Sequence, residues 1–143
     1  MLVRLLYASR ARPGTTQDDL LAILRKSRAN NPAWGVTGVL CCSLNESVYL
    51  QVLEGGRSAV NKLYHVIAAD PRHDGVELLC YEEIAERRFA GWSMGQVNMA
   101  LLNPALLLKY SERSTLDPFA VSGHASMALF QELMVTASVV GQA

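Results

Sequence analysis

The chain has 143 residues, half of them hydrophobic, so it can bury roughly two thirds of its unfolded surface around one sizeable core. Thirteen basic residues balance thirteen acidic ones without a dense basic run, which argues against a direct nucleic-acid partner. The three cysteines form no C-x-x-C pair and no apolar stretch reaches the roughly 18 residues of a membrane span, so we expect a cytoplasmic protein with no metal site, disulfide framework or membrane partner.

The first elements are predicted to be a strand and an amphipathic helix. Residues 2–8 are mostly apolar and predict a strand. The apolar stretch is too short for a signal peptide. Thr16 is a suitable N-cap for a helix over residues 16–31, which Pro32 is expected to end. One face of this helix begins apolar and ends polar, and it consists of Leu20, Leu24, Ser27 and Asn31.

The following elements complete a ferredoxin-like order. Residues 35–42 and 46–54 predict a hairpin. Residues 57–69 predict a second amphipathic helix, residues 75–82 a strand, and a short strand is expected around residues 92–97. The order strand, helix, strand, strand, helix, strand, strand predicts an α+β fold with a ferredoxin-like βαββαββ sheet and both helices on one face.

The tail, residues 101–143, is expected to be a helical cap that belongs to the same domain. Two helices are predicted, over residues 104–110 and 122–140. The second helix carries an apolar stripe suited to packing on the uncovered sheet face, and this stripe consists of Met127, Phe130, Met134 and Ala137. A partner-binding groove or a dimer seam is the alternative interpretation of the stripe.

Polar side chains interrupt the predicted core at three places. Gln51 stands within the apolar segment 48–53, where an amide without partners costs roughly 1 to 3 kcal/mol. Tyr7 ends the first strand, while Asn30 and Asn31 end the first helix. A phenol and several amides that converge suit a planar, hydrogen-bonding ligand better than bond-breaking chemistry. The alternative is that Gln51 faces water on an edge strand and that Tyr7 is an ordinary core aromatic.

Several motifs also follow one another in a distinctive order and spacing. They are Tyr7-Ala8-Ser9, Ser27 ahead of Asn30-Asn31, GVTGVL at 35–40, LQVLEG at 50–55, DPRH at 70–73, RRF at 87–89 and WSM at 92–94. Together they resemble the BLUF domain, a family of blue-light sensors that bind FAD. The resemblance covers residues 1–100, and the tail is similar to that of short, stand-alone members of the family.

The resemblance implies that the flavin ring of FAD lies between the two predicted helices without a covalent link. It implies that Tyr7 gives the excited flavin an electron and a proton, and that Gln51 then rotates or tautomerises to produce a red-shifted signalling state. Trp92 and Met94 are expected to share one face of their strand, where the signal leaves the pocket, and either could face the flavin. The signal would pass through protein–protein contacts to an unknown downstream protein, so we expect a homo-oligomer and no enzymatic turnover.

The other cofactor contacts rest on less specific patterns. Asn31 is expected to bond the ring edge with Ser27 and Asn30 beside it, although Asn30 is equally suited to cap the end of the helix. Val66 replaces a basic residue that some members of the family carry. The segment expected near the ring edge and the sugar-phosphate consists of Asp70, Arg72 and His73, and a solvated loop is its alternative.

Two other functional classes are compatible with the predicted fold. A small ferredoxin-like acylphosphatase would hold a phosphate with Arg10 or Arg12 and with Asn45, and would not need Gln51 or Tyr7. A ligand-free interaction module would dimerise through its open sheet face. Both would be colourless when purified. Because no nucleophile with a base, metal cluster or pair of acids occurs at a suitable spacing, catalysis is not expected.

Overall fold

One mixed β-sheet organises the part of the chain that the computed structural model describes, which is residues 1–136 and 139–140. In chain order the elements are β1 (Leu2–Ala11), α1 (Gln17–Trp34), β2 (Thr37–Ser43), β3 (Val48–Gly56), α2 (Arg57–Ala68), β4 (His73–Ile84), β5 (Gly95–Val97), a 3-10 turn (Met99–Leu101), α3 (Pro104–Tyr110), α4 (Gly123–Val135) and β6 (Val139–Val140). The strand order across the sheet is β4-β1-β3-β2-β5-β6, with antiparallel neighbours except for the parallel pair β2 and β5.

Side-chain alternation on the central strands divides the core between the two faces of the sheet. On one face, α1 and α2 cover Leu5, Tyr7 and Leu53. On the other face, α3 and α4 cover Leu6 and Val52. The predicted ferredoxin-like α+β fold is confirmed, with two helices on one face and the C-terminal helices on the other.

α1 begins at a capping box and continues past Pro32. The Asp19 N–H donates to the Thr16 hydroxyl at 3.3 Å, and the Thr16 N–H donates to the Asp19 carboxylate at 2.8 Å. The prediction that Pro32 ends this helix is wrong, because the helix runs to Trp34. It stops where Gly35 takes the left-handed conformation, with a φ of 67°. Pro32 lies in the last turn, where it removes a single backbone donor, so the helix tolerates it.

The segment before β5 is not the strand that the sequence predicts. Residues 90–94 form a turn and bends, and β5 begins only at Gly95. Alternation requires an extended strand, so the predicted shared face of Trp92 and Met94 is wrong. Trp92 packs against the core under α3 and α4, whereas Met94 is fully buried in the core under α1 and α2.

The C-terminal helices agree with the prediction except at their end. α3 spans Pro104–Tyr110 as predicted, but α4 ends at Val135, so the prediction of a helix to residue 140 is wrong. Val139–Val140 pair with β5 instead. In the predicted stripe, Met127 and Phe130 are buried and Met134 is partly buried, while Ala137 lies outside the described residues. The described part of the stripe therefore packs in the core and does not form a partner groove.

Candidate functional site

A cavity opens between α1 and α2 above the sheet. Its empty volume is about 800 Å³, part of it open to solvent. Its wall is mostly apolar, with polar groups from every side. The lining consists of Tyr7, Leu40, Tyr49 and Gln51 from the sheet, Ile23, Lys26, Ser27, Asn30, Asn31 and Trp34 from α1, and Leu63, Val66, Ile67, Asp70, Arg72 and His73 from α2 and the residues after it.

Most of the predicted site residues meet at this cavity. Asn30 lies inside α1 and Gly35 occupies the C-cap, so the alternative of a capping Asn30 is wrong. Met94 lies beside Gln51 without lining the cavity, and Trp92 is on the opposite face of the sheet. The predicted residues that line the cavity are Tyr7, Ser27, Asn30, Asn31, Gln51, Asp70, Arg72 and His73.

Three buried side chains form a continuous chain of contacts at the sheet. Tyr7 on β1 stands directly opposite Gln51 on β3. The Tyr7 hydroxyl donates to Gln51 Oε1, and Gln51 Nε2 donates to the Met94 sulphur at 3.1 Å. Burial raises the pKa of Tyr7 above its usual range, so the phenol keeps its proton and remains a donor. A thioether is a weak acceptor, so the Gln51 amide nitrogen loses little when it exchanges Met94 for a better partner.

Two α1 side chains hold the segment that carries Met94. Asn31 Nδ2 donates to the Ser93 carbonyl at 3.4 Å, and Arg28 Nε donates to the Met94 carbonyl at 3.0 Å. Asn31 is buried and also lines the cavity, so it contacts both the cavity and this segment. The sequence analysis missed Arg28, whose partner is 66 residues away along the chain and therefore leaves no local pattern.

Asp70, Arg72 and His73 are ordered by bonds of their own. The Arg72 guanidinium donates to both Asp70 oxygens at 2.6 to 3.0 Å, and these hydrogen bonds lower the pKa of Asp70 and raise that of Arg72. His73 Nε2 lies 2.6 Å from the Ile67 carbonyl, which only accepts, so Nε2 carries the proton. His73 Nδ1 lies 2.7 Å from the Ser9 hydroxyl, with which it forms a hydrogen bond. Since all three line the cavity, they are not merely a solvated loop.

Tyr49 is a cavity residue that the sequence analysis missed. It precedes Gln51 by two residues on β3 and so lies on the same face, a signal that strand alternation offered. Its ring stands perpendicular to that of His73, with the centroids 5.7 Å apart. Its hydroxyl is buried and forms no hydrogen bond within the described residues. The Thr15 hydroxyl, which donates to the Arg12 carbonyl at 2.6 Å, lies close enough to lower the pKa of Tyr49 but not within hydrogen-bond distance of its hydroxyl.

Tyr49 is therefore suited to bond a ligand in the cavity. Burial raises the pKa of Tyr49 to about 12, so its hydroxyl stays protonated near neutral pH and is available as a donor. A ligand with acceptor oxygens would satisfy this donor and remove the cost of burying it without a partner.

A family model described as sensors of blue light using FAD, BLUF, matches residues 2–95. The chain belongs to the BLUF family. The predicted family and its cofactor, FAD, are confirmed by this match, and the acylphosphatase hypothesis loses its basis. Arg10, one of the two arginines on which that hypothesis rested, lies over the Phe119 ring with its guanidinium carbon 4.2 Å from the ring centroid.

Curated relatives and solved structures agree with the BLUF assignment. The chain is 32% identical over 102 residues to photoactivated adenylate cyclase subunit beta of Euglena longa and of Euglena gracilis, which covers 71% of this chain. The chain spans 12% of the length of these relatives. It resembles the structure of BlsA in its photo-activated state with a TM-score of 0.82 and 30% identity, covering 100% of this chain and 99% of that one. It resembles the dark-state structure of BlrB with a TM-score of 0.78 and 34% identity, covering 95% of this chain and 96% of that one.

The residues of the BLUF cavity fit a flavin. A flavin ring is planar, with apolar faces and a polar edge, and the cavity offers aliphatic side chains from α1 and α2 together with amides and phenols. The buried hydroxyl of Tyr49 has no partner within the described residues and would find one on a bound ligand. Lys26 and Arg72 are cations of the wall and suit the phosphates of FAD.

Proposed function

We propose that this BLUF chain is a blue-light photoreceptor that binds FAD noncovalently in the cavity between α1 and α2 and switches through Tyr7, Gln51 and Met94. The observation that supports this most strongly is the buried chain of contacts from the Tyr7 hydroxyl through the Gln51 amide to the Met94 sulphur. An amide has a donor end and an acceptor end, so a half-turn reverses what it offers to each neighbour. Gln51 can therefore exist in two hydrogen-bonded arrangements.

The residues that would hold the ring come mainly from the two helices. Ile23 and Leu63 offer apolar contact to its faces, and the amide of Asn31 suits its polar edge, with Ser27 and Asn30 beside it. Asp70, Arg72 and His73 would contact the ring edge and the sugar-phosphate. Each of these side chains lines the cavity, which supports the assignment.

Tyr7 is proposed to supply the electron and proton of the light reaction. A bound flavin absorbs blue light and is a strong oxidant in its excited state. Tyr7 would give this oxidant an electron, since phenols are oxidisable, and its hydroxyl proton would move to the Gln51 oxygen that already accepts its hydrogen bond. Because the pKa of Tyr7 is raised by burial, this proton is in place in the dark at neutral pH.

Gln51 is proposed to convert this transfer into a changed hydrogen-bond pattern. With its oxygen protonated, the Gln51 amide would release a proton from Nε2 toward the cavity and become its imidic tautomer, or it would rotate. In either case its Nε2 group would leave the weak acceptor at Met94. A donor then becomes available toward the cavity, and Tyr7 recovers its electron and proton. An extra hydrogen bond to a carbonyl of the bound ring would shift its absorption to longer wavelength.

The output is proposed to be a contact with another protein. The chain spans only 12% of the length of the adenylate cyclases it resembles, so their activity is not assigned to it. We infer that the chain turns over no substrate, self-associates and binds an unknown downstream protein. A cytoplasmic location is supported by the three free cysteines, two of which are buried. Within residues 1–136 and 139–140, no helix is long and apolar enough to cross a bilayer.

The test is an absorption spectrum of the FAD-loaded protein before and after blue light, with Gln51→Leu as the matched variant. We expect flavin bands that shift to longer wavelength in the wild type and return in darkness. The Gln51→Leu protein should bind FAD but show no such shift, because leucine cannot exchange hydrogen-bond partners. A protein that takes up no FAD, or a leucine variant with the full shift, would contradict the proposal.

A further inference from the structure

A buried carboxylate holds the start of the segment that carries Met94. Glu54 follows Gln51 by three residues on β3, so it lies on the face opposite the cavity, and it is 0% exposed. Glu54 Oε1 accepts from the Phe89 N–H at 2.6 Å, and Oε2 accepts from the Arg88 N–H at 3.1 Å. Arg4 adds two charged donors, Nε at 2.8 Å and Nη2 at 2.7 Å from Glu54 Oε2.

Burying the Glu54 carboxylate costs free energy, so the groups around it must replace the hydrogen bonds it makes to water. A buried carboxylate is tolerated only when its oxygens are paired and hydrogen-bonded. Glu54 meets this condition with four donors, two of which are backbone amides of one short segment. An ion pair with Arg4 alone would stabilise β1 against β3 without reaching the segment. The two amide contacts therefore give Glu54 a second effect, which is to fix Arg88 and Phe89.

The contacts of Glu54 with the Arg88 and Phe89 amides are called the anchor below. The segment between the anchor and β5 is short, and it carries Met94, whose sulphur contacts Gln51. Residues 88 and 89 are held by Glu54, and β5 pairs with β2 from Gly95 onward. Between these two fixed points the Trp92 carbonyl accepts from the Gly38 N–H at 2.9 Å, and the Met94 sulphur accepts from Gln51. The Phe89 ring is also fully buried, with its centroid 6.4 Å from that of Phe130 on α4. Release of the anchor would leave the carbonyls of residues 92–94 held by Gly38, Asn31 and Arg28 but would free the start of the segment, and so would loosen the position of Met94.

We propose that Glu54 is a positioning residue of the light switch, whose carboxylate fixes Arg88 and Phe89 so that the Met94 sulphur stays against Gln51 in the dark. This inference rests on the proposed photoreceptor function. The anchor contacts occur together with the contact between Gln51 and Met94, so they stabilise this arrangement relative to one in which Met94 leaves Gln51. Weakening the anchor lowers the preference for the dark arrangement and slows the return to it after light.

The experiment compares Glu54→Gln and Glu54→Asp with the wild type. Glutamine keeps the shape but presents NH₂ to a site that contains only donors, and aspartate keeps the charge beside Arg4 but shortens the reach toward the segment. We expect amide hydrogen exchange of residues 88–94 in the dark to be faster by about tenfold, as for loss of one hydrogen bond to a charged acceptor. We expect the dark recovery of the flavin absorption to slow by about threefold or more.

Val52→Ala is the matched control. Val52 lies on the same strand and face as Glu54 and is equally buried. Its truncation destabilises the core without touching the anchor, so it should leave recovery and exchange at residues 88–94 at the wild-type values. The proposal is overturned if neither Glu54 variant changes exchange at these residues, if recovery is unchanged or faster, or if Val52→Ala produces the same changes.

Failure of the anchor can be told apart from failure of the photoreceptor proposal. Exchange is measured in darkness, on both FAD-loaded and FAD-free protein, and needs no light reaction. A wild type that does not respond to light would contradict the proposed function, while the exchange result would still decide whether Glu54 fixes the segment. If the wild type responds to light and both Glu54 variants keep its hydrogen exchange and dark recovery, the proposed role of Glu54 is overturned while the proposed function stands.

Discussion

Tyr7 and Gln51 stand directly opposite each other on the neighbouring antiparallel strands β1 and β3, and the Tyr7 hydroxyl donates to the Gln51 amide oxygen. Because the ladder fixes the separation of such paired residues, this hydrogen bond depends on no flexible segment. The other partner of Gln51 is different, since Met94 belongs to the bent segment before β5. In the proposed switch, Tyr7 is therefore the rigid partner of Gln51 and Met94 is the movable one.

Replacing Tyr7 with phenylalanine should abolish the light-induced shift and leave FAD binding in place. The change removes the oxidisable phenol and its proton while the ring keeps its packing. Tyr64→Phe is the matched control, because the Tyr64 ring centroid lies 5.8 Å from that of Tyr7, yet Tyr7 is the residue that bonds Gln51. The light-minus-dark absorption difference measures both. A full shift in Tyr7→Phe, or its loss in Tyr64→Phe, would be incompatible with the proposed role of Tyr7.

Met94→Leu should alter the flavin site, whereas Trp92→Phe should not. Leucine has nearly the volume of methionine but no sulphur, so Gln51 Nε2 loses its acceptor and the dark arrangement loses stability. We expect a changed dark spectrum and a recovery slower by about fivefold, the scale of one weak hydrogen bond. Trp92 packs on the opposite face, so Trp92→Phe should keep the wild-type dark spectrum. A changed dark spectrum in Trp92→Phe together with a wild-type spectrum in Met94→Leu would place the tryptophan at the flavin.

Local periodicity was sufficient to predict most of the fold. The α1 face with Leu20 and Leu24 and the apolar strand around Gln51 are patterns within a few residues, and the structure buries both as predicted. The end of α1 could not be predicted in this way. Pro32 is a common helix terminator, but the cost of one missing donor in a last turn is small, and Gly35 offers a better stop.

The contacts that complete the site join residues far apart in sequence. The Arg4–Glu54 pair is separated by 50 positions and the Asn31–Ser93 contact by 62. A glutamate near the end of a strand is usually solvated, so nothing local marks Glu54 as buried. The bent course of residues 90–94, which carries Trp92 to the opposite face, likewise follows from these distant contacts.

Tyr49→Phe should stabilise the FAD-free protein and weaken its affinity for FAD. The hydroxyl is buried without a hydrogen bond among the described residues, so its removal should raise the free energy of unfolding by about 1 kcal/mol. If it bonds the cofactor, affinity should fall by about fivefold, the value of one neutral hydrogen bond. Urea unfolding and flavin-fluorescence titration measure the two effects.

Tyr81→Phe is the control for this substitution. Tyr81 is 44% exposed on β4 and does not line the cavity, so its hydroxyl is hydrated and its loss should change neither quantity. A Tyr49→Phe protein that is less stable without FAD would show that the hydroxyl already has a partner. Unchanged affinity would show that it does not contact the cofactor.

The Asp70–Arg72 pair should make stability depend on pH in the acid range. Hydrogen bonds from Arg72 lower the pKa of Asp70 in the folded state, so the carboxylate stabilises the fold above its ordinary pKa of about 3.9 and loses this effect as the pH falls through the lower folded value. At pH 7, Asp70→Asn should therefore reduce the free energy of unfolding by less than about 1 kcal/mol, since the pair is partly exposed. The difference from wild type should shrink as the pH falls below about 4. In an Arg72→Gln background this pH dependence should be smaller but not absent, because the backbone N–H of residue 72 still donates to Asp70 Oδ1 at 2.8 Å. An undiminished dependence would mean that the guanidinium does not lower the pKa of Asp70.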